Sequence, residues 1–207
     1  MWNWLKSAFS FISSLTGKIL SNSGERALVN NVCDDAIANV ENITERLLAD
    51  QISVDTWLKE CRASLKNYYI QQYLLGIGGQ GQLSQADYGS IGGMLADQYR
   101  YLQNFAREIA AGNLTPGQIR NRIAMYANSS REGYNRARAR AHGIPEGALP
   151  AMPGDGRSCE GLTRCHCFWD FEDDDEEVKA YWKLGVSEHC SLCLDHAQVW
   201  NPFIVKR

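Results

Sequence analysis

The stretch "HGIPEGALPAMPGDG", His142 to Gly156, divides the chain into two kinds of sequence. It holds three prolines and four glycines, too many for the interior of a helix or strand, and it reads as a linker. Upstream, apolar side chains recur every three or four residues over long spans. Downstream, they alternate over short ones. The contrast predicts a mainly α protein: a bundle of long helices, then a small cysteine-rich α+β module of zinc-binding type. The expected division is an amphipathic N-terminal helix at 1–22, an α-helical region at 23–142, the linker at 143–156 and the cysteine-rich module at 157–207.

Immediately upstream, Gly112 stops one helix and "LTPGQ" starts the next, with Thr115 as cap and Pro116 at the first helical position. That helix is expected to run unbroken from Pro116 to about Ala141, with Ile119, Ile123, Tyr126, Tyr134 and Ala137 on its buried stripe. Before it, a helix over roughly 87–111 carries Leu95, Tyr99, Leu102, Phe105 or Ala106, and Ile109 on one face. Another, over 55–75, follows the cap residue Ser53 and turns Trp57, Cys61, Leu65, Tyr68 and Leu75 inward. A third, over 25–49, has Val29, Val32, Ala36, Val40, Ile43 and Leu47 on its stripe. Cys61 lies on an apolar stripe and Cys33 beside one, so both read as small buried hydrophobes. Gly76, Gly78 and Gly81 spell a G-x-G-x-x-G, but a dinucleotide site needs a strand before it. Here an amphipathic helix precedes the glycines, and they read as an interhelical loop. The region to residue 142 is thus expected to form antiparallel helical hairpins.

At the start of the chain, Trp2, Leu5, Phe9, Ile12, Leu15 and Ile19 make an amphipathic stripe opposite serines. With only Lys6 and Lys18 as basic residues, this helix is expected to dock on protein rather than on lipid. It lacks a basic segment ahead of its apolar part and reads as retained rather than as an export signal. No apolar run approaches the about 20 residues that cross a bilayer. A reducing cytoplasm is the expected folding compartment, where clustered cysteines serve metals more often than disulfides.

Downstream of the linker, "RCHCFWDF" and "AYWKLGV" alternate like two short strands, with the acidic "DFEDDDEE" between them as a solvated loop. "SLCLDHAQVW" reads as a short helix and "NPFIVKR" as an extended tail. Five of the seven cysteines fall here, as Cys159-x5-Cys165-x-Cys167 and Cys190-x2-Cys193. On a strand Cys165 and Cys167 share one face, and a C-x-x-C turn lets both of its sulfurs point inward. Two such pairs supply the four thiolates of a structural Zn2+ site. A module of this size lacks the aliphatic core to fold alone, and a metal would compensate. Five cysteines exceed the four needed, so Cys159 or one of the C-x-C pair is spare. His189 and His196 are possible substitutes, while His166 should point away. Disulfides are the competing reading, and would suit a particle outside a cell.

The charge is uneven. Residues 1–153 carry 15 basic and 13 acidic side chains, and residues 154–207 carry 6 and 11. Against that background one helix stands out, with Arg120, Arg122, Arg131, Arg136, Arg138 and Arg140 against the single acid Glu132. Arg120, Arg131 and Arg138 border one side of its apolar stripe, and Arg122, Arg136 and Arg140 the other. Two such rows could grip the phosphates of a nucleic acid. They could equally pair with acids on neighbouring helices or subunits, including a second copy of the chain. The whole chain is acidic, with a net charge of −3, which favours the assembly interface over nucleic acid. No convincing catalytic constellation is present. His189 and Cys190 are adjacent and lack an orienting third group, and thiolate-rich metal sets are usually closed. The expectation is a noncatalytic protein.

The order of features, from "QADYGSIGGMLADQYRYLQNFAREIAAGNLTPGQ" through "PGDG" to "HCSLC" and "WNP", resembles phage head morphogenesis proteins, also called minor head or minor capsid proteins. The pattern T-x-C-x-C-x-W, formed by Thr163, Cys165, Cys167 and Trp169, is part of that likeness, which covers roughly Gln85 to Phe203. In that group a region of long helices precedes a small cysteine-bearing C-terminal segment. The resemblance implies a structural protein that acts beside the portal during capsid assembly and touches portal, capsid or scaffold proteins. Its implied location is the host cytoplasm during assembly, then the virion. The resemblance names no metal; zinc follows from the cysteine spacing alone.

Overall fold

The computed structural model describes residues 22–79, 83–154, 165–186 and 188–207. The amphipathic stripe from Trp2 to Ile19, together with Cys159 and Thr163, lies outside the described residues. The bundle comprises α1 (Asn22–Leu48), α2 (Val54–Ile77), α3 (Gln85–Ala110), α4 (Pro116–Asn128) and α5 (Arg131–Ala141). The C-terminal module adds β1 (Phe168–Asp173), β2 (Glu177–Lys183), α6 (Ser191–Val199) and β3 (Phe203–Lys206).

On α1 the buried stripe is Val29, Cys33, Ala36, Val40, Ile43 and Leu47. Cys33 takes the place expected for Val32, which is only partly covered. Steps alternating between four and three hold that face on one neighbour, and the thiol is small enough to sit at its centre. The helix at the middle of the bundle is α2, which packs against α1, α3 and α5. Its Trp57, Leu65, Tyr69 and Tyr73 are fully buried. Trp57 meets Phe105 edge-on at 5.6 Å between ring centroids. Its indole N–H donates to Thr44 Oγ1 at 3.0 Å, and that hydroxyl donates to Val40 O at 2.7 Å, so nothing polar is stranded around it.

Helix ends follow the chemistry expected of them. Ser53 Oγ accepts the Thr56 N–H at 3.2 Å, and Thr115 and Gln118 bond reciprocally at the head of α4. Gly78, at φ 87°, caps α2 in the left-handed conformation, and the Gly79 N–H returns to Leu74 O at 2.9 Å. The G-x-G of the sequence is therefore a helix stop.

The helix expected to run unbroken from Pro116 to Ala141 is instead two helices meeting at Ser129–Ser130. Hydrogen bonds there tighten to three-residue steps, Ser130 N–H to Ala127 O at 3.1 Å and Gly133 N–H to Ser130 O at 2.9 Å. The Ser129 hydroxyl bonds back to Tyr126 O at 2.7 Å and also meets the Tyr69 hydroxyl at 2.8 Å. Serines that bond their own backbone bend helices. The bend redirects α5 across α2 while α4 stays against α1. Glycine makes that crossing close: a Cβ on Gly76 would lie 2.4 Å from Tyr134 O, and one on Gly133 would lie 3.2 Å from Tyr69 O.

The three strands form an antiparallel meander in the order β1-β2-β3, with Trp169 opposite Trp182 and Ala180 opposite Phe203. Two expectations change here. The acidic run is largely strand: β1 continues through Asp173, and only 174–176 turn. Asp174 Oδ1 accepts the N–H groups of Glu176 and Glu177, which closes that turn. The tail expected to be merely extended is β3, paired along β2. The Pro/Gly segment packs on the module over its described residues, up to Gly154: Ile144 and Ala151 are buried with Trp169, whose indole N–H donates to Ala151 O at 2.9 Å. No described helix is long and apolar enough to cross a membrane.

A buried carboxylate ties α2, α3 and α5 together. Asp87 has no exposed side-chain surface and accepts from Tyr73 Oη at 2.6 Å, Ser84 N at 2.6 Å and Ser84 Oγ at 2.7 Å, with Arg140 Nε at 2.8 Å. Burial alone would raise its pKa, but the tyrosine, the serine and the arginine together hold it below the usual aspartate range.

Gly76→Ala should destabilise the protein by about 2 kcal/mol through overpacking. Gly92→Ala, which points a methyl into open space, should stabilise it by about 0.5–1 kcal/mol; urea denaturation midpoints measure both. Because the folded pKa of Asp87 is depressed, its contribution is complete above about pH 4 and lost as pH falls through the lowered value. Asp87→Asn should cost about 3 kcal/mol at neutral pH and flatten the acid limb of a stability-versus-pH curve.

Candidate metal centre

Cys165 and Cys167 lie just ahead of β1 and continue its alternation, so Cys165, Cys167, Trp169 and Phe171 are all buried on one side. His166 goes the other way, as expected, and meets Arg131. Cys193 comes from the first turn of α6, a helix whose docking is set by its far end. There the Trp182 N–H of β2 donates to Trp200 O at 3.0 Å, and Trp200 stacks with His196 at 4.0 Å and Trp169 at 5.7 Å. Gly185 makes the return path possible. A Cβ there would sit 2.2 Å from His166 O, so the chain leaving β2 runs against the Cys165–Cys167 segment before reaching α6.

The result is a cluster of three buried thiols, Cys165, Cys167 and Cys193, whose sulfurs all lie within 4.8 Å of one another. Cys165 Sγ and Cys193 Sγ are 3.7 Å apart, and no disulfide joins the described cysteines. Two thiolates on one tetrahedral metal at about 2.3 Å each lie about 3.8 Å apart. The three thiols are thus placed to hold a metal ion. Cys190, at the cap position of α6, is half-buried and packs against the same core without joining the three-thiol group. His189 Nδ1 is 3.9 Å from Cys167 Sγ. His196 belongs to the tryptophan layer instead, 4.9 Å from the Trp182 ring, where burial lowers its pKa. Cys33 and Cys61 do not belong to this cluster. Burial raises both thiols above their ordinary pKa, and Cys33 sits among Gln72, Ser130 and the helix core.

Five of the six arginines singled out by sequence end on carboxylates of this same chain. Arg120 forks onto Glu45 at 2.5 and 2.8 Å, and Arg122 onto Glu108 at 2.7 and 3.0 Å with its guanidinium 4.5 Å over Phe105. Arg136 joins Glu132 and Glu146, Arg138 reaches Glu25 at 3.3 Å, and Arg140 reaches Asp87. The helix break also separates Arg120 and Arg122 from the other four, so the two continuous rows of the sequence do not form. Arg131 differs: it is buried, and its nitrogens meet Asn30, Asn128 and His166. Asp87 and Gly185 were missed by sequence reasoning. The Ser84–Asp87 capping pair was a usable signal for the first, but nothing local marks the second.

No known family matches the chain, and no curated protein or solved structure does either.

The cluster predicts a separation among cysteine variants. Cys165→Ser, Cys167→Ser and Cys193→Ser should each abolish retention of a thiophilic metal, measured as metal per chain after desalting, while Cys33→Ala and Cys61→Ala leave it unchanged. Gly185→Ala, which removes no ligand, should also lower metal retention, because the displaced 185–193 segment no longer brings Cys193 to the pair on β1.

Proposed function

We propose that this chain is a noncatalytic phage head-assembly protein whose C-terminal knob is held by one structural Zn2+ ion. The observation that carries the zinc assignment is the trio of buried sulfurs, two of them at the spacing of a shared tetrahedral metal. Cys190 completes the set from the C-x-x-C turn, with His189 as the competing fourth ligand. Cys165, Cys167 and Cys193 are all buried, which supports a closed structural site rather than a catalytic one. The module's own core is thin, a few aromatic rings and short aliphatics around a three-stranded meander, and a bound metal adds folding free energy to it.

The assembly role rests on the resemblance borne by Thr163, Cys165, Cys167, Trp169 and the "HCSLC" and "WNP" stretches. The arginine pairing supports protein contacts over nucleic acid, because a phosphate would have to displace Glu45, Glu108, Glu25 or Asp87 from guanidinium groups already engaged.

Purified protein should contain one zinc per chain, and a strong chelator should change the fluorescence of Trp169, Trp182 and Trp200 while bundle helicity persists. Cobalt substitution distinguishes the fourth ligand: Cys190→Ser should weaken the thiolate charge-transfer bands, whereas His189→Asn should leave them intact. Metal-free protein whose knob stays folded under reducing conditions would refute the zinc assignment. Co-expression with the portal and major capsid proteins of the same genome should yield a co-purifying complex; its absence, with the protein folded, counts against the assembly role.

A further inference from the structure

A cavity of about 420 Å³ lies between the start of α1, α5 and the segments flanking β1 and β2, with Cys167 of the thiol cluster at its edge. Arg131, Asn30, Arg26 and His166 line one part of it, and Phe168 and Val186 another. Arg131 is only 8% exposed, yet no carboxylate among the described residues pairs with it. Its Nη2 donates to Asn30 Oδ1 at 3.2 Å, and its Nη1 reaches Asn128 Oδ1 at 3.4 Å and His166 Nε2 at 3.3 Å. All three contacts are long for a guanidinium, and Nε is buried with no hydrogen-bond partner among the described residues. Asp34, the nearest acid acting on His166, is exposed and makes no ion pair with Arg131. Arg26 brings a second guanidinium to the same cavity, held 4.5 Å over the Phe168 ring, and also without a carboxylate among the described residues.

A buried cation ordinarily has an anion against it, because amide oxygens do not offset its desolvation. Every other arginine of α4 and α5 obeys that rule within the chain. Buried Arg131 has no such anion among the described residues, and half-buried Arg26, likewise without one, faces the same cavity with its apolar wall. We infer that this cavity is an oxyanion site, taking a carboxylate or phosphate group between Arg131 and Arg26, with any apolar body of the ligand against Phe168 and Val186. The planar fork of Arg131 suits both oxyanions, and 420 Å³ holds a single such group with a small body rather than a polymer backbone. The assignment stands on these residues and does not depend on the zinc or the assembly role.

The test uses the full chain as purified and follows thermal unfolding with inorganic phosphate or benzoate, against chloride at equal ionic strength. Saturating ligand should raise the midpoint by about 5 °C. Benzoate alone acting identifies a carboxylate site, phosphate alone a phosphate site, and both acting a site for either. Arg131→Gln should remove the rise. Should that variant fail to fold, Val186→Glu decides: position 186 is 93% exposed on the cavity wall, so the new carboxylate can enter from the rim. It should raise the midpoint without ligand and abolish the response to both anions. No rise in the parent protein, or an equal rise in Val186→Glu, overturns the proposal.

Discussion

The crossing of α5 over α2, with backbone against backbone at Gly76 and Gly133, is the constraint on which most of the molecule depends. Two helices carrying ordinary side chains stand about 8–10 Å apart. Glycine on both faces removes that spacer, and Tyr69 and Tyr73 then fill the flanks of the crossing. The bend at Ser129–Ser130 is the other half of the same arrangement. An unbroken helix could not lie along α1 at one end and cross α2 at the other. Once bent, α5 delivers Ala139 and Ile144 to the tryptophan layer of the C-terminal module, so bundle and module share a boundary built from one helix and the segment after it.

Charge is arranged around that crossing. Asp87 sits where α2, α3 and α5 meet, and four donors from three segments make its ionised form the preferred one although its side chain is buried. Around it the arginines of α4 and α5 are consumed by acids from α1, α3 and the 142–147 loop. A cluster that looks in one dimension like an excess of positive charge is nearly neutral in three. The exposed members of those pairs contribute little to stability but fix where guanidinium groups can point. Arg131 is the exception, and it shares a cavity with Arg26 of α1.

The C-terminal module shows how little core a small sheet needs when something else fixes its geometry. Trp169, Trp182 and Trp200 form one aromatic layer, with centroids 5.1–5.7 Å apart, and the thiols lie beyond it. That layer sets the position of α6 on β2, and so the position of Cys193 relative to Cys165 and Cys167. Gly185 completes the arrangement by letting two chain segments touch.

Helices, caps and the change from a helical to an alternating period at the Pro/Gly segment were legible in the sequence, because they depend on spacing along a few neighbouring residues. So was the pairing of Cys165 with Cys167, since strand alternation puts them on one face. What sequence could not show is which distant groups meet. Cys33 rather than Val32 faces the core because α1 has neighbours on that side. The break at Ser129 forms because a tyrosine from another helix meets a hydroxyl that also bonds its own backbone. Glu45, Glu108, Glu25 and Asp87 reach the arginines only through the folded chain. Local periodicity is a property of the backbone and can be read in one dimension. Charge compensation and the joining of Cys193 to the other thiols depend on contacts between remote segments, and only the tertiary structure decided them.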